Sequence, residues 1–200
     1  MNKVTVIGIL CIFFAPVIIA VLMHGEWFQW HPTETRNHGE LIEPPQALPE
    51  FRLPDINGQP VDRSALSGHW QLLHTAAEGC DETCLESLYW IRQVRRAQDR
   101  HQNEIGLMLV TGQTLEPGTR AAIDQLNTGI RILQGDAGVE FLALLPHRPD
   151  TPVSYILDPA AHIILRYPQG SDFNGMRRDL RRLLTWTRTD PANPDQHAPE

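Results

Sequence analysis

The chain has 200 residues, 42% of them hydrophobic and 20% charged, with a formal net charge of −7. That length holds one ordinary domain with extensions and excludes a large multidomain enzyme. An acidic chain lacks the basic face that nucleic-acid binding needs, so no nucleic-acid partner is expected.

Residues 4–23, VTVIGILCIFFAPVIIAVLM, carry no charge. As a helix, twenty residues span roughly 30 Å, the hydrocarbon thickness of a bilayer. The run is longer than a signal-peptide core. It ends Ala20-Val21-Leu22-Met23-His24 with no small-x-small cleavage site, so it reads as an uncleaved anchor in the lipid bilayer. Lys3 precedes the span and Arg36 is the first basic residue after it. The positive-inside rule then places residues 1–3 in the cytoplasm and the soluble part outside, which in a bacterium is the periplasm. Trp27, Phe28 and Trp30 suit an interfacial aromatic belt, and Cys11 is a small apolar residue of the span. Residues 24–47 include Pro32, Pro44 and Pro45, show no sustained period and read as an extended tether.

A domain is expected over residues 48–188. Phe51-Arg52-Leu53 is a short strand, followed by the turn Asp55-Ile56-Asn57-Gly58 and a second short strand to Val61. Trp70 to Thr75 reads as a buried strand. Residues 81–101 read as a helix, with Leu85, Leu88, Ile91 and Val94 on one face. Ile105 to Thr111 is the strongest buried-strand run. A helix over 117–127 begins with Pro117 in its first turn, Ile130 to Leu133 is a short strand, and 137–144 a short helix. Val153 to Leu157 and His162 to Tyr167 form a hairpin across Asp158-Pro159-Ala160-Ala161. Residues 172–186 form the last helix, and the Pro-rich tail 189–200 has no core former. Strands alternating with helices define an α/β domain.

The chemical signal is Gly79-Cys80-Asp81-Glu82-Thr83-Cys84, between a buried strand and a long helix. A helix amino terminus presents free N–H groups and partial positive charge, which favour thiolate. Glu78, Asp81 and Glu82 add negative charge, which opposes that effect and would help a bound cation. The pair can cycle between dithiol and disulfide, hold a soft metal ion, or stand as a fixed bridge. Of nine histidines, His147 is the best third ligand, because its loop leads into a strand expected beside the cysteine strand. Pro152 stands just before that strand.

These pieces resemble the thioredoxin superfamily over residues 48–187. The order Leu53-Pro-Asp-Ile-Asn-Gly, Leu66-Ser-Gly-His-Trp-Gln-Leu-Leu, cysteine helix, Thr151-Pro152 and Tyr155-Ile-Leu-Asp-Pro is the same. The resemblance implies a central mixed sheet flanked by helices, behind a single N-terminal transmembrane helix, with Pro152 where thioredoxins carry a cis proline facing the redox cysteines. Within that superfamily the chain resembles the membrane-anchored Sco (SenC) copper chaperones of cytochrome c oxidase. Asn37-His38-Gly39-Glu40-Leu41 also resembles a group of bacterial Sco-like membrane proteins associated with the oxidase. Sco proteins usually read C-P-x-x-C-P, where this chain has Asp81 and Leu85 after its cysteines. Five residues before Tyr155, where they carry histidine, stands Asp150.

The resemblance implies an assembly factor for cytochrome c oxidase with subunit II as partner. It would act by copper bound to Cys80, Cys84 and His147, or by thiol redox at Cys80 and Cys84 beside Pro152. A general periplasmic thiol–disulfide oxidoreductase is the alternative, with Cys80 attacking and Cys84 resolving. The third reading is a non-catalytic interaction module with a structural disulfide, docking through the Arg177, Arg178, Arg181 and Arg182 helix face. Acidic lipid headgroups could also meet that face, but the inferred topology sets it on the side opposite the cytoplasm, which counts against them. Whether the chain is an enzyme stays open at this stage.

Overall fold

A computed structural model describes residues 13–15, 37–126, 129–146 and 151–186. The chain divides into two compact units, Met1–Arg36 and Asn37–Glu200. Of the first, only residues 13–15 are described, and they are helical. The expected anchor therefore lies largely outside the described residues, as do His147 and the tail. Among the described residues no helix is long and apolar enough to cross a membrane.

The second unit is built on a six-stranded mixed sheet. Its strands are β1 (Glu40–Ala47), β4 (Trp70–Ala76), β5 (Ile105–Thr111), β6 (Arg131–Leu133), β7 (Val153–Leu157) and β8 (His162–Pro168), in the order β1-β8-β7-β4-β5-β6. The pairs β4–β5 and β5–β6 are parallel and the other three antiparallel. Two short strands, β2 (Arg52–Pro54) and β3 (Pro60–Asp62), form a separate hairpin. The helices are α1 (Glu82–Arg96), α2 (Pro117–Gln125), α3 (Gly135–Leu144) and α4 (Phe173–Trp186), with 3-10 turns at Arg63–Ala65 and Asp99–Glu104.

Burial on both faces makes β4 an unbroken run of seven enclosed residues, with Gln71, His74 and Thr75 as its polar members. On one face Ile91 and Val94 of α1 meet Trp70 and Leu72 of β4 and Met176, Leu180 and Leu184 of α4. Cys84 and Leu88 continue that layer toward Ala76, Leu109 and Ile123 of α2. On the other face Phe141 and Leu142 of α3 pack with Leu53, Val61, Leu73, Met108 and Tyr155.

Residues 40–47, read from sequence as tether, instead form β1 on the edge of the sheet. The strand pairs Glu40 with Arg166 and Ala47 with His162, and its register breaks between Leu41 and Gln46. Pro44 and Pro45 fall within that break, at an edge, where a missing N–H costs no ladder bond. The helix expected over 81–101 ends at Arg96, and the rest is a 3-10 turn.

Candidate functional site: a buried and an open cysteine

The site begins where β4 ends. Gly79 donates its N–H to the Ala76 carbonyl at 3.0 Å and takes φ +115°, a conformation open to glycine. This tight exit aims the next residue, Cys80, at the start of α1. Asp81 is the N-cap of that helix, its carboxylate accepting the Cys84 N–H at 2.9 Å. The acid that sequence reading treats as a charge beside the sulfurs is thus also the residue that starts the helix.

Cys80 and Cys84 are joined as a disulfide with their Cα atoms 5.1 Å apart. The two sulfurs differ in access. Cys84 is fully enclosed, at 0% exposure, among Ala76, Leu88, Leu109 and Ile132. Cys80 is partly exposed and opens into a groove of about 540 Å³. Pro152 lines the same groove, together with Gln113, Thr114, Glu116 and Gln169. Glu78, Asp81 and Glu116 give it an acidic rim.

Pro152 reaches the groove because β7 lies antiparallel to β4, pairing Val153 with Thr75. The Thr75 hydroxyl donates to the Val153 carbonyl at 3.0 Å and accepts the Val153 N–H at 3.3 Å. That clamp fixes the residue after Pro152 against the strand that delivers Cys80. Among the described residues the cis peptide bond falls at Glu43–Pro44 and not at Thr151–Pro152. The expected cis geometry at Pro152 is therefore corrected, while its place beside Cys80 stands.

His74 is a second buried group that sequence reading passed over as one histidine among nine. It faces α1 from β4 and is 2% exposed. Its Nδ1 meets the Ser154 hydroxyl at 2.9 Å, and its Nε2 has no hydrogen-bond partner among the described residues. A cavity of about 20 Å³ beside it is lined by Ser87 of α1 and by Pro152. Burial pushes its pKa down to about 4 against the opposing pull of Asp81, so the ring is neutral at neutral pH. Its place in a strand of apolar neighbours was the available signal, since a polar residue there needs a partner.

The structure brings Cys80, Cys84 and Pro152 together. His147, the expected nitrogen ligand, lies outside the described residues. Among the described residues no group of three His, Cys, Asp or Glu side chains is placed to hold a metal ion. Reduced, the pair offers two soft sulfur donors, a set that suits copper(I).

A mixed sheet, a cysteine pair at the first helix and a proline facing it define a thioredoxin-like protein. The chain belongs to the family described as transmembrane-like, thioredoxin-like, C-terminal domain, whose model matches residues 70–187. No curated protein matches it. Its fold is similar to yeast Sco1 with copper bound, at TM-score 0.60 and 14% identity over 76% of this chain and 99% of that one. Apo Sco1 from Thermus thermophilus is similar at TM-score 0.60 and 15% identity, over 76% and 99%. The thioredoxin domain of a thiol-disulfide oxidoreductase from Bacteroides vulgatus is similar at TM-score 0.51 and 14% identity, over 69% and 95%.

Proposed function

We propose that the chain is a membrane-anchored, Sco-like thiol–disulfide exchange protein with a periplasmic domain, and that its client is the cysteine pair of cytochrome c oxidase subunit II. The observation that carries this reading is the unequal access of the two joined sulfurs. A client thiolate can reach Cys80 Sγ from the groove. Its attack forms a mixed disulfide with Cys80, breaks the Cys80–Cys84 bond and leaves the electron pair on Cys84 Sγ. A second client thiolate then attacks the client sulfur of the mixed disulfide, and Cys80 leaves as thiolate. The client gains a disulfide and this chain a dithiol. Run backward, the same steps reduce the client.

Copper(I) delivery is the second reading, supported by the fold's likeness to copper-bound yeast Sco1. Cys80 and Cys84 would supply two thiolates to the cargo ion and His147 the nitrogen. The reduced full chain serves both readings. It is mixed with the oxidised soluble domain of subunit II, the disulfide form is mixed with the reduced domain, and thiol states are followed by mass spectrometry. Transfer of the disulfide, with a trapped Cys80 adduct in a Cys84→Ser variant, is expected. No transfer in either direction would sink the exchange reading. Equal rates with unrelated disulfide peptides would replace it with a general oxidoreductase. Copper(I) titration of the same preparation against a competing chelator decides the second reading, which fails if no ion is retained. Unchanged assembly of the oxidase in cells carrying Cys80→Ser would leave the bridge a structural one.

A further inference from the structure

Half of the chain's sixteen arginines gather on one side of the domain, although the net charge is −7. Arg92, Arg95 and Arg96 lie in the last turns of α1, and Arg100 in the 3-10 turn that follows. Arg177, Arg178, Arg181 and Arg182 lie on α4. The two helices form one surface. The Trp90 and Phe173 rings stack with centroids 6.1 Å apart, and Gln98 donates to the Arg177 carbonyl at 3.3 Å. Arg181 stands 4.0 Å from Asp99.

Arginines outnumber acids on these segments: α1 carries Glu82 and Glu86 in its first half, the 3-10 turn Asp99 and Glu104, and α4 Asp179. Asp179 is buried and committed to Tyr167, His38 and Gly39. Arg96, Arg178 and Arg181 are exposed, and Arg92 and Arg177 partly so.

The chain enters the domain on this same side. Arg182 donates to Asn37 Oδ1 at 3.3 Å, and Arg178 Nη1 stands 3.4 Å from His38 Nε2. Residues 24–36 separate the apolar run from that point. Thirteen extended residues reach at most about 45 Å. A domain held so close to a bilayer meets its headgroups at high effective concentration. Guanidinium groups pair with phosphate in a bidentate fork, and the attraction to an anionic surface acts within a Debye length.

We propose that this arginine face docks on the anionic phospholipid headgroups of the membrane that anchors the chain. The proposal rests on the anchor reading for its tether. It also gives the groove an orientation. Cys80 precedes one end of α1 and the arginines occupy the other, so a fifteen-residue helix of about 22 Å separates them. The groove, with Glu78, Asp81 and Glu116 on its rim, would thereby be held at the end of α1 remote from the headgroups.

The full chain placed in nanodiscs of phosphatidylcholine alone, or of phosphatidylcholine with phosphatidylglycerol, tests this. Arginines are labelled with phenylglyoxal and read by mass spectrometry. Arg96, Arg177 and Arg181 should react at least about threefold more slowly in the anionic discs, and about 0.5 M salt should erase the difference. Arg52, Arg63 and Arg131 should react equally in both. An Arg96→Gln, Arg181→Gln variant should restore Arg177 to its rate in neutral discs. Equal rates for the face in both lipids would overturn the proposal, as would protection that appears only when an acidic protein is added. Retention of the chain in neutral discs at high salt reports the anchor separately, so the two failures are distinguishable.

Discussion

The Asp179 carboxylate of α4 accepts the Tyr167 hydroxyl of β8 at 2.9 Å, inside the domain. The same Oδ2 accepts the backbone N–H groups of His38 at 2.7 Å and Gly39 at 3.1 Å. Its Oδ1 lies 3.1 Å from His38 Nδ1. Burial, and then the neighbouring carboxylate, push the Tyr167 pKa well above its ordinary value, so the hydroxyl keeps its proton and stays a donor. One buried side chain thus fastens the first residues of the domain to its last helix. That is the structural content of the Asn37-His38-Gly39 segment.

Replacing Asp179 with Ala should cost about 3 kcal/mol, because it strands several donors that bonded a charged acceptor. Hydrogen exchange at His38, Gly39 and β1 should accelerate, while alkylation of reduced Cys80 keeps its rate. Unchanged exchange at β1 would show that the fastening does not depend on this carboxylate.

Gly39 should tolerate no side chain. A Cβ there would lie 2.5 Å from the Tyr167 ring, which is 2% exposed and cannot retreat. Gly39→Ala should lower stability by roughly 1–3 kcal/mol, the usual cost of overpacking. A thermal midpoint equal to the parent's would contradict the close approach.

Asp81→Ala removes the cap of α1 and should cost about 1 kcal/mol. Asp81→Asn keeps an acceptor for the Cys84 N–H, so it should retain most of that stability. Denaturant midpoints of the three proteins, each with its disulfide intact, measure the difference. Equal losses in both variants would assign the effect to charge and not to the cap.

His74 makes stability fall in acid. Its folded pKa is lowered to about 4, below the ordinary 6.5. The unfolded chain therefore binds a proton that the folded chain refuses. The contribution is complete above pH 6.5 and is lost as pH falls toward 4, amounting to about 3 kcal/mol over that window. A His74→Gln variant should show a flatter profile in denaturant titrations across it. Parallel profiles would mean that His74 titrates normally.

After reduction, Cys80 should react with iodoacetamide at least about tenfold faster than Cys84, as access to the thiolate dictates. Peptide mass spectrometry on a time course reads both. Comparable rates would remove the basis for assigning Cys80 as the exchanging sulfur.

Much of this architecture was legible because its signals are local. Ile105–Thr111 is apolar up to Val110 and forms the strand expected of it, and Leu88, Ile91 and Val94 face the core at helical spacing. The cysteine turn was equally visible, since Gly79 and two nearby cysteines stand out in any frame. What stayed hidden depends on distant partners. Residues 40–47 carry two prolines and alternate weakly, so only the presence of β8 makes them a strand. His74 and Thr75 acquire their roles from Ser154 and Val153, about eighty residues away. In sequence nothing marks Asp179 apart on a polar helix, and only the fold sets Tyr167, His38 and Gly39 around it.

The prolines of β1 have a further consequence. Sheet edges invite foreign strands, and this sheet closes both of its own. One side ends in β1, interrupted by Pro44 and Pro45, and the other in the three residues of β6, where Ile132 already accepts the Ile56 N–H at 2.9 Å. Among the described residues the six-stranded sheet therefore offers a foreign strand little edge to pair along. If the chain exchanges disulfides with a client, that client would be selected by what its cysteine loop presents around Cys80 and Pro152 and not by its capacity for β pairing.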